Sequence, residues 1–141
     1  VYQLLGGKVH DKVRIYVNGW LSGAKEPEEF GEKARIAVQR GITAVKWDPF
    51  GKSYLEISNR DLDKALRNVA AVREAVGNEV DLLIEGHGRF NIPTSIKIAK
   101  ELEQFHPMFF EEPVPPIMPT VSPDLIFTET LLKTFLSAFS E

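Results

Sequence analysis

Cysteine is absent from the 141 residues of this chain, which excludes disulfide bonds, thiolate zinc sites and a cysteine nucleophile. Basic residues are few and dispersed, with 17 Lys and Arg against 20 Asp and Glu. This charge pattern contains no basic patch of the kind that binds nucleic acid or an anionic membrane surface. No apolar run approaches the roughly 20 residues of a membrane span, and the first residues carry no signal-peptide pattern. We therefore expect one cytoplasmic domain with neither a nucleic-acid nor a membrane partner.

Short apolar runs alternate with longer amphipathic segments along most of the chain, as in repeated βα units around a parallel sheet. The pattern predicts strands at 14–20, 44–50, 80–87 and 108–114. Helices are expected between them at 26–40, 60–76 and 94–105, with Asn59 capping the second. In the first helix the inward face is expected to carry Phe30, Ala34, Ile36 and Ala37. The predicted fold class is α/β, a partial TIM-like (β/α) barrel of four parallel βα units, spanning residues 1–116.

The composition changes after three prolines within residues 113–116. Residues 117–141 contain one Lys, no Arg and no Gly, and Ser122, Pro123 and Asp124 form a good helix start. We predict a divergent helical tail with an apolar face. Two interpretations stay open: the helix covers the sheet as a fourth crossover helix, or it binds a partner.

Polar side chains lie at all four predicted strand ends, where parallel sheets bind ligands. In the first three pairs the members are two residues apart and so can point the same way. The sequence predicts a convergent set of carboxylates, one Lys and one His. The residues at the four strand ends are, in order, Asn18 and Trp20, Lys46 and Asp48, Glu85 and His87, and Glu111 with Glu112.

Each of these residues also has a structural interpretation. Lys46 could be a solvated strand end, and His87, between two glycines, could be a turn histidine bonded to backbone. Glu85 directly follows three apolar residues, where a charge is costly to bury unless it is paired or bound to a metal. Function is therefore favoured for Glu85. One of Glu111 and Glu112 is expected to face solvent.

Four segments together resemble successive strand-end motifs of the mandelate-racemase branch of the enolase superfamily, and among its members the galactonate- and gluconate-type dehydratases. They read LLGGKVHDKVRIYVNGW, GITAVKWDPFG, DLLIEGHGRFN and FFEEPVPP. The resemblance covers residues 2–116, and EGHGRF followed by FFEEP is its most specific part.

The resemblance implies a sugar-acid dehydratase with a magnesium ion held by three carboxylates. By motif position Glu85 matches the first ligand and Glu111 the second. Glu85 stands where Asp is commoner, which lengthens the side chain by one methylene. His87 matches the general acid that helps the departing hydroxyl leave.

Two further motif positions, Lys46 and Asp48, are candidate catalytic residues. Lys46 matches the first residue of a Lys-x-Lys motif, and Asp48 stands where the second lysine serves as a base in racemases. This departure argues against racemase chemistry and is compatible with a dehydratase whose base comes from elsewhere, although Asp48 could equally form a salt bridge at the strand end. Asn18, Trp20 and Arg89 are candidate substrate contacts.

The family's capping domain, its second half-barrel, its third metal ligand and its later histidine base have no match in this sequence. We therefore expect a truncated chain that is inactive when isolated. Two hypotheses remain open: a lyase that completes its site by association, or a folded remnant with a structural role. Either way, exposed sheet edges and the terminal helix predict a homo-oligomer.

Overall fold

A computed structural model describes residues 1–116 of the chain. Helices and strands alternate along this part, beginning with a helix and ending with a strand. The helices are Pro27–Gln39 (α1), Asn59–Val76 (α2) and Ile92–Leu102 (α3), and the strands are Ala44–Trp47 (β1), Asp81–Glu85 (β2) and Phe109–Glu111 (β3). Two short 3-10 helices add Tyr2–Leu5 and Glu103–Phe105. The predicted α/β class is confirmed.

The three strands form one parallel sheet in the order β1-β2-β3. Trp47 is paired with Ile84 across the first strand pair, and Glu85 is paired with Glu111 across the second. The strands run in the same direction, so their carboxyl ends lie at one edge of the sheet. That edge is where the predicted site residues fall.

The hydrophobic core lies between one face of the sheet and the helices. Alternate strand residues point to opposite faces, and the buried set on the helix side is Val45, Trp47, Leu82, Ile84 and Phe110. From the helices the core receives Ala34, Ala65, Val69, Val72, Ile98 and Leu102. The intervening strand residues Lys46 and Glu85 are also buried, so the second face of the sheet carries charge.

Side chains at the helix starts explain where the helices begin. The Ser58 hydroxyl accepts from the Asp61 backbone N–H at 3.1 Å and caps α2, and the Asn91 side chain accepts from Thr94 at 2.9 Å and caps α3. The prediction that Asn59 caps α2 is wrong by one residue. Ser58 has the extended backbone that an N-cap needs, whereas Asn59 is already helical and accepts from Lys97 at 2.7 Å.

Four βα units are not confirmed, because the described residues contain three strands. The predicted first strand is reduced to a parallel bridge in which Val17 donates to Ala44 and accepts from Lys46, both at 3.0 Å. The chain then turns at Gly19, whose φ is +73°, and Asn18 accepts from the Gly19 N–H at 2.8 Å. This turn takes the backbone away from β1 before a longer ladder can form.

The expected inward face of the first helix needs one correction. Phe30, Ala34 and Ala37 are buried, whereas Ile36 is 40% exposed. Ile36 follows Ala34 by two residues, which on a helix of 3.6 residues per turn places it on the far side.

Two remaining expectations concern segments that could interact elsewhere. The predicted terminal helix lies within residues 117–141, outside the described residues. Over residues 1–116, none of the helices combines the length and the apolar character that a bilayer crossing requires.

We expect the chain to self-associate. Large apolar side chains of residues 4–15 are 68% to 90% exposed, namely Leu4, Leu5, Val9, Val13 and Ile15, and exposed apolar surface favours association. Sedimentation at micromolar concentration should show an oligomer. Val13→Thr with Ile15→Thr should lower its stability, whereas Tyr54→Ser, at a 70% exposed residue elsewhere, should not. A wild-type monomer would contradict this expectation.

Candidate functional site

Three charged side chains meet at the carboxyl edge of the sheet, one from each strand. The Lys46 ammonium is ion-paired with Glu85 Oε2 and lies 2.7 Å from Glu111 Oε2. The Lys46 and Glu85 side chains are only 8% and 9% exposed, while Glu111 is 36% exposed. The structure thus brings together the two predicted metal ligands, and it places the Lys46 cation between them.

The mutual contacts set the charge states of this cluster. Burial by itself lowers the pKa of Lys46, but hydrogen bonds to Glu111 and Glu85 outweigh it and raise this pKa. Burial likewise raises the pKa of Glu85, but hydrogen bonds from Lys46 and from the His87 backbone N–H outweigh it and lower this pKa. Lys46 is therefore held protonated and Glu85 ionised. A buried charged group is tolerated here because its partners are in place.

A second network lies beside the first and contains Asp48, His87 and Arg89. Asp48 Oδ2 is 2.8 Å from His87 Nδ1, and Arg89 donates to both Asp48 oxygens, at 2.7 and 2.5 Å. Arg89 also donates to the Gly51 carbonyl at 3.0 Å. Asp48 is therefore salt-bridged at the end of β1, with Arg89 rather than Lys46 as its partner.

The backbone between Glu85 and Arg89 joins the two networks. The His87 N–H donates to Glu85 Oε1 at 2.8 Å, and His87 has the left-handed φ of +53°. Gly86 has no room for a side chain, since a Cβ there would lie 2.7 Å from the Glu112 carbonyl oxygen. The same carbonyl accepts from Gly88 at 2.7 Å. Gly86 was not among the predicted site residues. Its place between two of them, Glu85 and His87, was the signal that could have identified it.

The other predicted substrate contacts lie nearby but already have partners within the chain. The Trp20 indole N–H donates to the Lys46 carbonyl at 3.0 Å, and its ring meets Trp47 edge-on with centroids 5.4 Å apart. Asn18 bonds within its own turn. Substrate roles for Asn18, Trp20 and Arg89 stay predictions. Sequence reasoning missed Tyr16, whose ring centroid is 5.7 Å from the Lys46 ammonium.

Glu85 and Glu111 fit a magnesium ion as two of its ligands. They are direct partners on neighbouring strands, and their carboxylate oxygens already converge on one cation, the Lys46 ammonium. Hard carboxylate oxygens are the donors that magnesium prefers. Within residues 1–116 no group of three or more acidic or histidine side chains is arranged to hold a metal. The described residues thus offer at most a partial site, in which the Lys46 ammonium already contacts both carboxylates.

Comparison with known proteins gives consistent matches. The family model "Enolase C-terminal domain-like" matches residues 29–122. The D-gluconate dehydratase of Thermoproteus tenax is 51% identical over 114 residues, which are 81% of this chain and 23% of that protein. The D-gluconate/D-galactonate dehydratase of Picrophilus torridus is 43% identical over 118 residues, covering 84% of this chain and 30% of the relative.

A solved structure from the same group of enzymes is also similar to this chain. A mandelate racemase/muconate lactonizing enzyme from Jannaschia sp. CCS1 superimposes with a TM-score of 0.70 at 36% identity, over 82% of this chain and 33% of that one. The chain thus spans 23% and 30% of the length of these two curated relatives.

Replacing Lys46 tests whether its ammonium group stabilises the fold by pairing with Glu85 and Glu111. In Lys46→Met, Glu85 and Glu111 face each other without a counter-ion, and losing one partner of a buried ion pair should lower the free energy of unfolding by about 3 kcal/mol. Urea denaturation measures the change. Added magnesium should then raise the unfolding midpoint of the variant more than that of the wild type, because the two carboxylates lack a cation.

Lys97→Met is the matched control, because Lys97 is exposed and hydrogen-bonds only to Asn59 among the described residues. It should change stability by less than about 1 kcal/mol. Equal losses in the two variants would refute a structural role for the Lys46 cluster.

Proposed function

Because this chain belongs to the Enolase C-terminal domain-like family, in its mandelate racemase and muconate lactonizing branch, we propose that it carries part of the active site of a magnesium-dependent sugar-acid dehydratase. The observation that carries the proposal is the meeting of Glu85, Glu111 and His87 at one sheet edge. The names of the relatives support gluconate or galactonate as the substrate class.

His87 is the proposed general acid. Its side chain is 60% exposed, so a substrate can reach it, and its backbone is fixed by the bond to Glu85. Dehydration next to a carboxylate removes a proton from carbon and expels a hydroxyl group, which leaves readily only when it is protonated. His87 supplies that proton.

Glu85 and Glu111 are the proposed metal ligands in this chain. A bound magnesium ion would supply positive charge that stabilises the oxyanion developing as the carbon-bound proton is lost. Lys46 contacts both carboxylates, and a bound ion would compete with the Lys46 ammonium for them.

The base that removes the proton is proposed to come from outside the described residues. Asp48 accepts from the Phe50 N–H and from Arg89 and is paired with His87, so both of its oxygens are already engaged within the chain. Lys46 is protonated and paired. Residues 1–116 therefore offer the proposed acid and two proposed ligands, and neither the base nor a third ligand is assigned among them.

The isolated chain should show no appreciable dehydration of aldonic acids. Groups that act as a unit lose most of their effect when one is missing, so a partial site does not give proportional activity. The purified chain is incubated with magnesium and a panel of aldonic acids, and 2-keto-3-deoxy product is measured. Turnover that vanishes in Glu85→Gln and His87→Asn would overturn this expectation.

A chimera tests the proposed function positively. Residues 1–116 replace the matching segment of the Thermoproteus tenax dehydratase, so that the remaining groups come from the relative. We expect turnover of gluconate, and a loss of about 10²- to 10⁴-fold in His87→Asn. Asparagine tolerates the left-handed backbone of His87, so the substitution removes the acid and keeps the turn.

His106→Asn is the control for the chimera, since His106 is an exposed histidine that also has a positive φ, of +47°. It should retain wild-type turnover. A stably folded chimera that does not turn over any aldonic acid would reject the dehydratase proposal and leave a structural role as the remaining interpretation.

A further inference from the structure

The Asp48 carboxylate is held from several sides. It follows β1, and its side chain is 18% exposed. Oδ1 accepts from the Phe50 N–H at 2.9 Å and from Arg89 at 2.7 Å, and Oδ2 accepts from Arg89 at 2.5 Å and meets His87 Nδ1 at 2.8 Å. Each oxygen therefore has two partners, and the carboxylate cannot turn without losing bonds. It presents Oδ2 to the imidazole as a fixed acceptor.

A fixed acceptor determines where the imidazole carries its proton. An ionised carboxylate accepts hydrogen bonds and donates none, so His87 Nδ1 must be the donor. In the neutral ring the lone pair then lies on Nε2, because one nitrogen is protonated and the other is not. The neighbouring charged groups, Arg89 behind Asp48 and Glu85 at the His87 backbone N–H, keep this arrangement in place from both sides.

We propose that Asp48 is a positioning residue for His87, which fixes Nδ1 as the permanent donor and Nε2 as the nitrogen that exchanges protons with the substrate. This inference rests on the proposed function, in which His87 is the general acid. Arg89 acts one step further back, by orienting Asp48. The proposed role explains why an aspartate can stand at the second lysine position of the Lys-x-Lys motif. The contact between Asp48 and His87 also connects the end of β1 to the loop after β2.

The proton balance of the acid step follows from this geometry. As the C–O bond breaks, its electron pair goes to the departing oxygen, which takes the proton from Nε2 and leaves as water. The N–H electron pair stays on Nε2 as its lone pair. The ring that remains is neutral with its proton on Nδ1, which is the tautomer that Asp48 stabilises. After His87 has given up the proton on Nε2, its hydrogen bond from Nδ1 to Asp48 therefore stays in place.

Histidine tautomers can be read directly in the full chain, without substrate, by long-range ¹H–¹⁵N correlation at a pH where the rings are neutral. The chain has three histidines, and loss of one signal set in His87→Asn assigns His87. We expect neutral His87 to carry its proton on Nδ1. His10 and His106 are internal references, since neither is bonded to Asp48 among the described residues.

Asp48→Asn should invert the tautomer. Phe50 and Arg89 both need an acceptor, so the amide oxygen faces them and the amide NH₂ faces Nδ1, which must then accept and leave the proton on Nε2. Asp81→Asn is the matched control, because Asp81 is also an acid paired with an arginine, Arg14, but far from His87 in the fold. It should leave all three histidine patterns unchanged.

Protonation on Nε2 in the wild type, or an Nδ1–H pattern that persists in a folded Asp48→Asn chain, would overturn the proposal. If Asp48→Asn does not fold, the wild-type spectrum alone decides. The result is independent of turnover in the chimera: an inactive chimera rejects the dehydratase proposal, whereas a wrong tautomer rejects the role of Asp48 even in an active enzyme.

Discussion

Backbone hydrogen bonds hold β1, β2 and β3 parallel and in register, with Lys46 opposite Leu83 and Glu85 opposite Glu111. Because the strands run the same way, the residues at their carboxyl ends lie at a single edge. Because the register is fixed, Glu85 and Glu111 stand side by side rather than staggered. A slip of one residue on either strand would send these side chains to the opposite face, toward the helices.

The same sheet separates two environments. Its helix-facing side is closed by aliphatic and aromatic packing, while its other side buries Lys46 and Glu85. Burying these charges costs free energy, which is offset only because each has a partner at close range. The cluster therefore presents a pair of carboxylates that are both already bound to one cation, the Lys46 ammonium.

The candidate site consists of two linked networks rather than one convergent set. Lys46 joins β1 to β2 and β3, whereas Asp48 joins β1 to the loop that follows β2. The bond from the His87 N–H to Glu85 connects them. A change in the carboxylate cluster would therefore reach the histidine through a single hydrogen bond. This coupling relates the ligand positions to the acid that the dehydratase proposal requires.

Much of the fold could be predicted from the sequence, because hydrophobic periodicity and turn residues are local signals. The three helices and the strands following residue 43 fall where the pattern indicates. The exceptions depend on neighbours. The segment around Val17 has strand-like composition, yet its pairing stops at the Asn18–Gly19 turn. Ser58 and Asn59 are both good caps, and the backbone conformation of Ser58 selects between them.

By itself the sequence determined the chemical types available at the strand ends, namely four acids, a lysine and a histidine, and the two-residue spacing of the pairs on the first three strands. Strand periodicity is enough to put Lys46 and Asp48, or Glu85 and His87, on one side. Only the tertiary structure decided the pairings, in which Lys46 binds the carboxylates and Asp48 binds His87 and Arg89. The physical reason is that these contacts join residues about 40 positions apart or more, and their distances are fixed by strand register rather than by any local preference of the chain.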